Sequence, residues 1–197
     1  MTQAEFGTLE IADAIQITKG RLFVPLQPSH PANDYDIDYM AHSQALQCRW
    51  MGGTNDLRTG DPVFYSVAQH ACIVSDLTRT FYGLMHDASE SYLCDIPRPL
   101  KPFLKGYYEF EAALMQEILT RHNVPHTPEI IKRVKVIDNS MIYWERDAMI
   151  GLPCEPYANE KLDHPGTTIF DVVPDFEPWS PKRAKQEYLD RYERFAA

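Results

Sequence analysis

The sequence predicts an all-α fold: a single, mainly helical domain over residues 1–197, with its core at about 36–150 and irregular N- and C-terminal extensions. Three observations predict it. Apolar residues recur at helical spacing through most of the central region. Thr127-Pro128 and Ser180-Pro181 each place a capping hydroxyl before a proline, which is tolerated in a first helical turn. Alternation of the kind that marks strands is weak and confined to the N-terminal part.

Taken in order, residues 8–26 alternate weakly around Lys19-Gly20 and read as an extended or hairpin segment leading into Pro25 and Pro28. Residues 36–50 read as a helix with Ile37, Met40, Ala41, Ala45 and Cys48 near one face. Residues 51–62 (MGGTNDLRTGDP) are polar and glycine-rich, hence a loop. Helical spacing resumes over 63–77, with Val63, Val67, Ile73, Val74 and Leu77 on one stripe. A further helix is expected over 79–93, stopped by the prolines at 97, 99 and 102. Residues 107–122 align Phe110, Leu114, Ile118 and Leu119, and the helix capped by Thr127 runs to about Met149. Residues 151–181, rich in proline and acids, are expected to wrap the body without regular structure. The helix after Ser180 should turn Tyr188, Tyr192 and Phe195 inward.

Composition narrows the function classes. Apolar residues at 44% suffice for a real core, and the formal charge of −9 repels a nucleic-acid backbone. A small anionic ligand remains compatible if a metal and a few basic side chains offset that field. Cys48, Cys72, Cys94 and Cys154 are too scattered for a disulfide framework or zinc knuckle, and read as reduced thiols packed as small apolar residues. The N-terminus lacks the apolar run of a signal peptide, and no stretch approaches the ~20 apolar residues of a membrane span. A soluble, cytoplasmic protein without a membrane partner is expected.

The informative residues are polar ones on apolar stripes. His70 falls in the series Val63, Val67, His70, Val74, Leu77, which suits either a hydrogen-bonded core histidine or a metal ligand. Asp138 sits among Ile131, Val134 and Met141 or Ile142, where an ionised carboxylate costs several kcal/mol unless an arginine or a cation meets it. His86 and Asp87 are adjacent, about 100° apart on a helix, and Glu90 follows His86 by one turn. If the chain turns near Thr78, two antiparallel helices place His70 and His86 level, each roughly 10 Å from the turn. Two histidines and two aspartates suit a borderline divalent ion such as Mn, Co, Fe or Zn.

The strings SVAQH (66–70), LMHDASESYLCDIPRPLK (84–101) and VIDNSMIYWERD (136–147) resemble the HD superfamily of phosphohydrolases, in particular bacterial 5′-deoxynucleotidases and small phage dATP or dNTP triphosphohydrolases. The resemblance covers about residues 45–150 and implies an HD-type helical bundle. By position it implies His70, His86, Asp87 and Asp138 as metal ligands, with room for a second ion such as Mg. It implies Glu90 as the acid that orients or deprotonates the attacking water and Asp95 as a second catalytic carboxylate near the leaving group. Arg49 and Lys101 would contact phosphate, and Trp50 and Pro99 would pack on the nucleoside; a core aromatic is the alternative for Trp50. The implied partner is a small-molecule nucleotide, and homo-oligomers are common in such families. Arg98, Lys101 and Lys105 lie near Asp95 in sequence and suit a longer phosphate chain. Two rival classes remain: an HD phosphodiesterase acting on a cyclic or signalling nucleotide, and a non-catalytic, metal-stabilised nucleotide-binding module. No second histidine pair beside Asp87 favours the first, and the spare carboxylate of Glu90 argues against the second.

Overall fold

A computed structural model describes residues 14–151 and 168–197, and the chain is mostly helical. The expected N-terminal hairpin is present over its described part. Strand β1 (Ile15–Gln16) pairs antiparallel with β2 (Leu22–Phe23), and the turn passes through Lys19 and Gly20 at positive φ; residues 8–13 lie outside the described residues. Helix α1 (Ile37–Leu46) is capped by Asp36, whose carboxylate accepts from the Asp38 N–H at 2.9 Å. It stops four residues short of the expected end. Gln47 and Cys48 are extended because their backbone pairs elsewhere. The Arg49 N–H donates to the Tyr65 carbonyl at 2.8 Å, the Val67 N–H to that of Gln47 at 3.0 Å, and Cys48 bridges Ser66. Cys48 is therefore half-buried beside a turn and not on a helical face.

Helix α2 (Val67–Thr78) starts later than the apolar pattern suggests. Ser66 caps it by accepting from the Gln69 N–H, and Val63 lies before it, bonded through its N–H to Thr54. Every residue of α2 except Asp76 and Leu77 is buried, as expected of a helix surrounded by others; α1 and the later helices Phe81–Met85, Pro128–Met149 and Pro181–Ala196 pack around it. The predicted reversal at Thr78 is realised. Arg79 ends α2 in the left-handed region (φ 53°), and Thr80 caps α3 (Phe81–Met85) by accepting from the Gly83 N–H at 3.0 Å.

The single helix expected over 79–93 is instead two short ones, α3 and α4 (Glu90–Leu93). Between them the backbone bonds run to the third residue back: Ala88 N–H to Met85, Glu90 to Asp87, Ser91 to Ala88. This tighter winding eclipses side chains three apart, so Glu90 lies over Asp87 rather than over His86. Cys94, at φ 66°, ends the segment.

Helix α5 (Tyr107–Arg121) buries Leu114, Ile118 and Leu119 and leaves Phe110 half-buried. Helix α6 (Pro128–Met149) has the expected Thr127 cap and the expected end. Of the wrapping expected over 151–181, residues 152–167 lie outside the described residues, and the remainder contains a short helix α7 (Ile169–Val172). Helix α8 (Pro181–Ala196), capped by Ser180, crosses α1 and α2. Its Tyr188 is buried and Tyr192 half-buried, but Phe195 is 37% exposed: near the helix end it reaches only the rim, stacking on Phe81 at 5.5 Å.

Two groups of buried apolar side chains flank α2. One joins Met40, Ala41, Leu84, Met85, Leu114, Ile118 and Tyr188; the other joins Tyr65, Ile73, Val74, Val134, Met141 and Ile169. Burying each such aliphatic side chain contributes roughly 1.5–3 kcal/mol. Cys72 is buried as expected of a packed thiol, but Cys94 is exposed, and Cys154 lies outside the described residues. Among the described residues no helix is long and apolar enough to cross a membrane.

Candidate metal centre

The break between α3 and α4 brings His86 and Asp87 against α2 and α6. The His70 and His86 rings lie 5.3 Å apart between centroids, in agreement with the level placement predicted from the turn. Each ring is fixed through Nδ1: His70 to Glu145 Oε1 at 2.7 Å and His86 to the Gly83 carbonyl at 2.8 Å. Both Nε2 atoms are buried and lack an aligned hydrogen-bond partner. An imidazole bonded through one nitrogen with the other bare and buried is the arrangement a metal ligand requires.

Asp138 projects from α6 between these rings. Its Oδ1 lies 3.5 Å from His70 Nε2 and 3.8 Å from His86 Nε2, and one ligand atom from each of the three residues falls within 4.8 Å of the others. Its Oδ2 faces outward, 2.9 Å from Lys135 Nζ and 3.6 Å from Arg98 Nη2. The buried arginine considered for Asp138 is thus replaced by surface cations on one oxygen and imidazoles on the other. Asp87 lies beside this group of three, with Oδ2 at 3.2 Å from His86 Nε2 and 3.8 Å from His70 Nε2. Burial alone would push the Asp87 and Asp138 carboxyls up, but the histidines more than offset it and hold both well below the usual carboxylate range. Burial likewise opposes a charged His86, yet Asp87 and Asp138 push its pKa well above the ordinary value. The two nitrogens and an Asp138 oxygen could hold a borderline divalent ion, and a cation would satisfy both bare Nε2 atoms.

Glu90 is buried beside Asp87, and its Oε2 has no hydrogen bond. Burial, and then the charges of Asp87 and Asp95, push the Glu90 carboxyl well above its usual range. Asp95 is also raised, by burial against the pull of Arg49. The irregular 86–95 backbone is held by polar side chains of α1 and its cap. Gln44 donates to the Asp87 carbonyl at 3.0 Å, Gln47 donates to that of Glu90 at 3.0 Å and accepts from the Asp95 N–H at 3.0 Å, and Ser43 donates to that of Ser91 at 2.9 Å. Groups left without helical partners are thereby satisfied.

The 51–62 loop does bring Arg49 and Trp50 to this site. It closes through the bridges Cys48–Ser66 and Asn55–Pro62 and through the Asn55 N–H to Met149. Trp50 and Met51 adopt φ of 56° and 52°, a conformation that costs of order 1–3 kcal/mol per non-glycine residue and gathers at functional sites. Arg49 Nη1 is 4.0 Å from Asp87 Oδ2. A cleft of about 730 Å³ is lined by Arg49, Trp50, Glu90, Asp95, Pro99 and Tyr143, among others. A second of about 380 Å³ adjoins it, walled by Tyr82, His86, Met115 and Val134; Asp87, Lys101, Lys135 and Asp138 line both. Lys101 is held by Glu111 at 2.8 Å.

Sequence reasoning missed Lys135 and Glu145 and included Lys105, which is exposed and lines neither cleft. Lys135 is one turn before Asp138, and Glu145 two turns after it, so helical spacing from Asp138 was the available signal. Of the other histidines, His122 is a packing residue, bonded to Tyr192 Oη at 2.7 Å and to the Tyr35 carbonyl at 2.9 Å; His164 lies outside the described residues.

No protein-family model matches the chain. Over 163 residues it is 32% identical to an Escherichia coli (strain K12) protein described as "Uncharacterized protein YfdR", a match spanning 81% of this chain and 84% of that one.

Proposed function

The chain belongs to the family of Escherichia coli YfdR; from the geometry of its centre and the HD resemblance of its sequence we propose that it is an HD-type, metal-dependent phosphohydrolase acting on 2′-deoxynucleotide phosphate esters. The observation that carries the reading is the pair of buried, bare Nε2 atoms facing Asp87 and Asp138, with the unbonded Glu90 carboxyl oxygen beside them. The HD resemblance of the strings 66–70, 84–101 and 136–147 supplies the reaction class; the fourfold His-His-Asp-Asp arrangement and the cleft support it.

His70, His86, Asp87 and Asp138 would hold the ion. When bound, it supplies Lewis-acid polarisation of a phosphoryl oxygen and lowers the pKa of a water. Glu90 stands where a carboxylate can orient that water for in-line attack or take its proton. Burial and the charges of Asp87 and Asp95 push its carboxyl up in the metal-free protein, and a nearby cation would bring it down. Arg49 and Lys101 neutralise charge developing on the non-bridging oxygens. Asp95, in the lining of the same cleft, would donate to the leaving oxygen. Trp50, Pro99, Ile142 and Tyr143 form the less polar wall on which a nucleoside packs.

A monophosphate and a triphosphate substrate call for the same ligand set. The presence of Lys101, Lys135 and Arg98 around the larger cleft favours keeping the triphosphate reading open. Incubating the protein with dNMPs and dNTPs plus Mn or Co and separating the products decides it: phosphate indicates a 5′-nucleotidase, triphosphate a triphosphohydrolase, and no product with either substrate refutes the proposal. Glu90→Ala should keep the ion and lose turnover.

A further inference from the structure

Glu145 is fully buried on α6 and meets four polar groups. Oε2 accepts from Arg49 Nε at 3.1 Å and Trp50 Nε1 at 2.9 Å. Oε1 accepts from Tyr65 Oη at 2.9 Å and faces His70 Nδ1 at 2.7 Å. Three donors and the His70 nitrogen meet the roughly four lone-pair positions of a carboxylate.

The two sides differ chemically. Arginine and the indole N–H are obligate donors, whereas a tyrosine hydroxyl and a neutral imidazole nitrogen can each donate or accept. We propose that Glu145 is a positioning residue that locks His70 in the Nδ1–H tautomer, keeping the Nε2 lone pair directed at the ion, while the same carboxylate seats Arg49 and Trp50 beside it. The inference rests on the metal-centre reading above. Arg49 Nε and Trp50 Nε1 donate to Oε2 and the Tyr65 hydroxyl donates to Oε1, so His70 Nδ1 meets an oxygen that accepts. Because one carboxylate holds the imidazole ligand and the base of the phosphate clamp, the two parts of the site cannot shift independently.

Glu145→Gln tests the lock, because its amide must be placed. Its nitrogen cannot face Arg49 and Trp50, since donors would meet donors. It must turn to Tyr65 and His70, both able to accept. His70 then accepts at Nδ1 and carries its proton on Nε2, which must leave that nitrogen before an ion can bind there. In the full-length, metal-free protein, 15N–1H NMR should show His70 protonated at Nδ1 in the wild type and at Nε2 in Glu145→Gln, with the Trp50 indole resonance retained. Titration calorimetry with Mn should then show affinity reduced by about 10–100-fold. A merely structural glutamate would lower stability and leave the tautomer alone. An Nε2–H tautomer in the wild type, measurable whether or not the variant folds, overturns the proposal. So does a variant that keeps the Nδ1–H form and wild-type ion affinity. Failure of the wild type to bind any divalent ion instead refutes the metal centre itself, whereas the tautomer in the metal-free protein judges Glu145 separately.

Discussion

Asp138→Ala should abolish the stabilisation that a divalent ion gives this protein. In the metal-free chain two buried imidazole nitrogens, His70 Nε2 and His86 Nε2, lack aligned partners. Each such atom costs about 1–3 kcal/mol, a penalty that a bound cation relieves. Binding to the folded state alone adds RT ln(1 + [L]/Kd), about 2.7 kcal/mol at a free ion concentration of 100 Kd. For a chain of this size each kcal/mol moves the melting temperature by about 2–4 °C, so a rise of roughly 5–11 °C is expected. Asp138 is the ligand to remove because its own loss leaves little unpaired: the outer oxygen meets Lys135 and Arg98, both more than half exposed and free to turn to water. Thermal melts followed by circular dichroism, with Mn and with chelator, would measure it. The wild type should show the rise and Asp138→Ala should show none. An equal rise in the variant refutes the reasoning, because the stabilising ion would then be bound elsewhere.

Three further outcomes test the scaffold. Met141→Ala, at a fully buried position on α6, should cost about 2–5 kcal/mol in urea unfolding. Ser66→Ala removes the α2 cap and should cost about 1 kcal/mol in the same assay. Gly83→Ala would drive a methyl against Thr78 Oγ1, to 3.0 Å from Thr80 Oγ1 and to 3.1 Å from Ser75 Cα. It should cost about 1–3 kcal/mol and weaken ion binding measured by calorimetry, since the Gly83 carbonyl orients His86.

Helices whose ends carry local chemistry were legible in the sequence. Thr127-Pro128 and Ser180-Pro181 mark their helices correctly, and the turn at Thr78 set His70 level with His86. Ser66 followed by Gln69 also signalled the true start of α2, but the apolar series through Val63 obscured it. The break in 79–93 was not legible. Its residues suit a helix, and the backbone groups that leave it are satisfied by Gln44 and Gln47, more than 40 residues away in sequence. Glu145 was hidden for a similar reason. In the run Trp144-Glu145-Arg146-Asp147 a glutamate reads as a solvated residue; helical spacing puts it on the Asp138 face, but its role as a buried hub comes from the return of Arg49, Trp50, Tyr65 and His70 to it. The ligands were found because they are polar groups on apolar stripes; the residues that orient them depend on tertiary pairing.

The claim on which the account rests is that His70, His86, Asp87 and Asp138 hold a divalent ion. Crystals of the protein grown or soaked with Mn, with an anomalous difference map collected above the Mn absorption edge, measure it directly. The account predicts a peak between the Nε2 atoms of His70 and His86 and the carboxylates of Asp87 and Asp138, absent in Asp138→Ala crystals treated alike. A map with no peak there, or with its principal peak at other side chains, contradicts it.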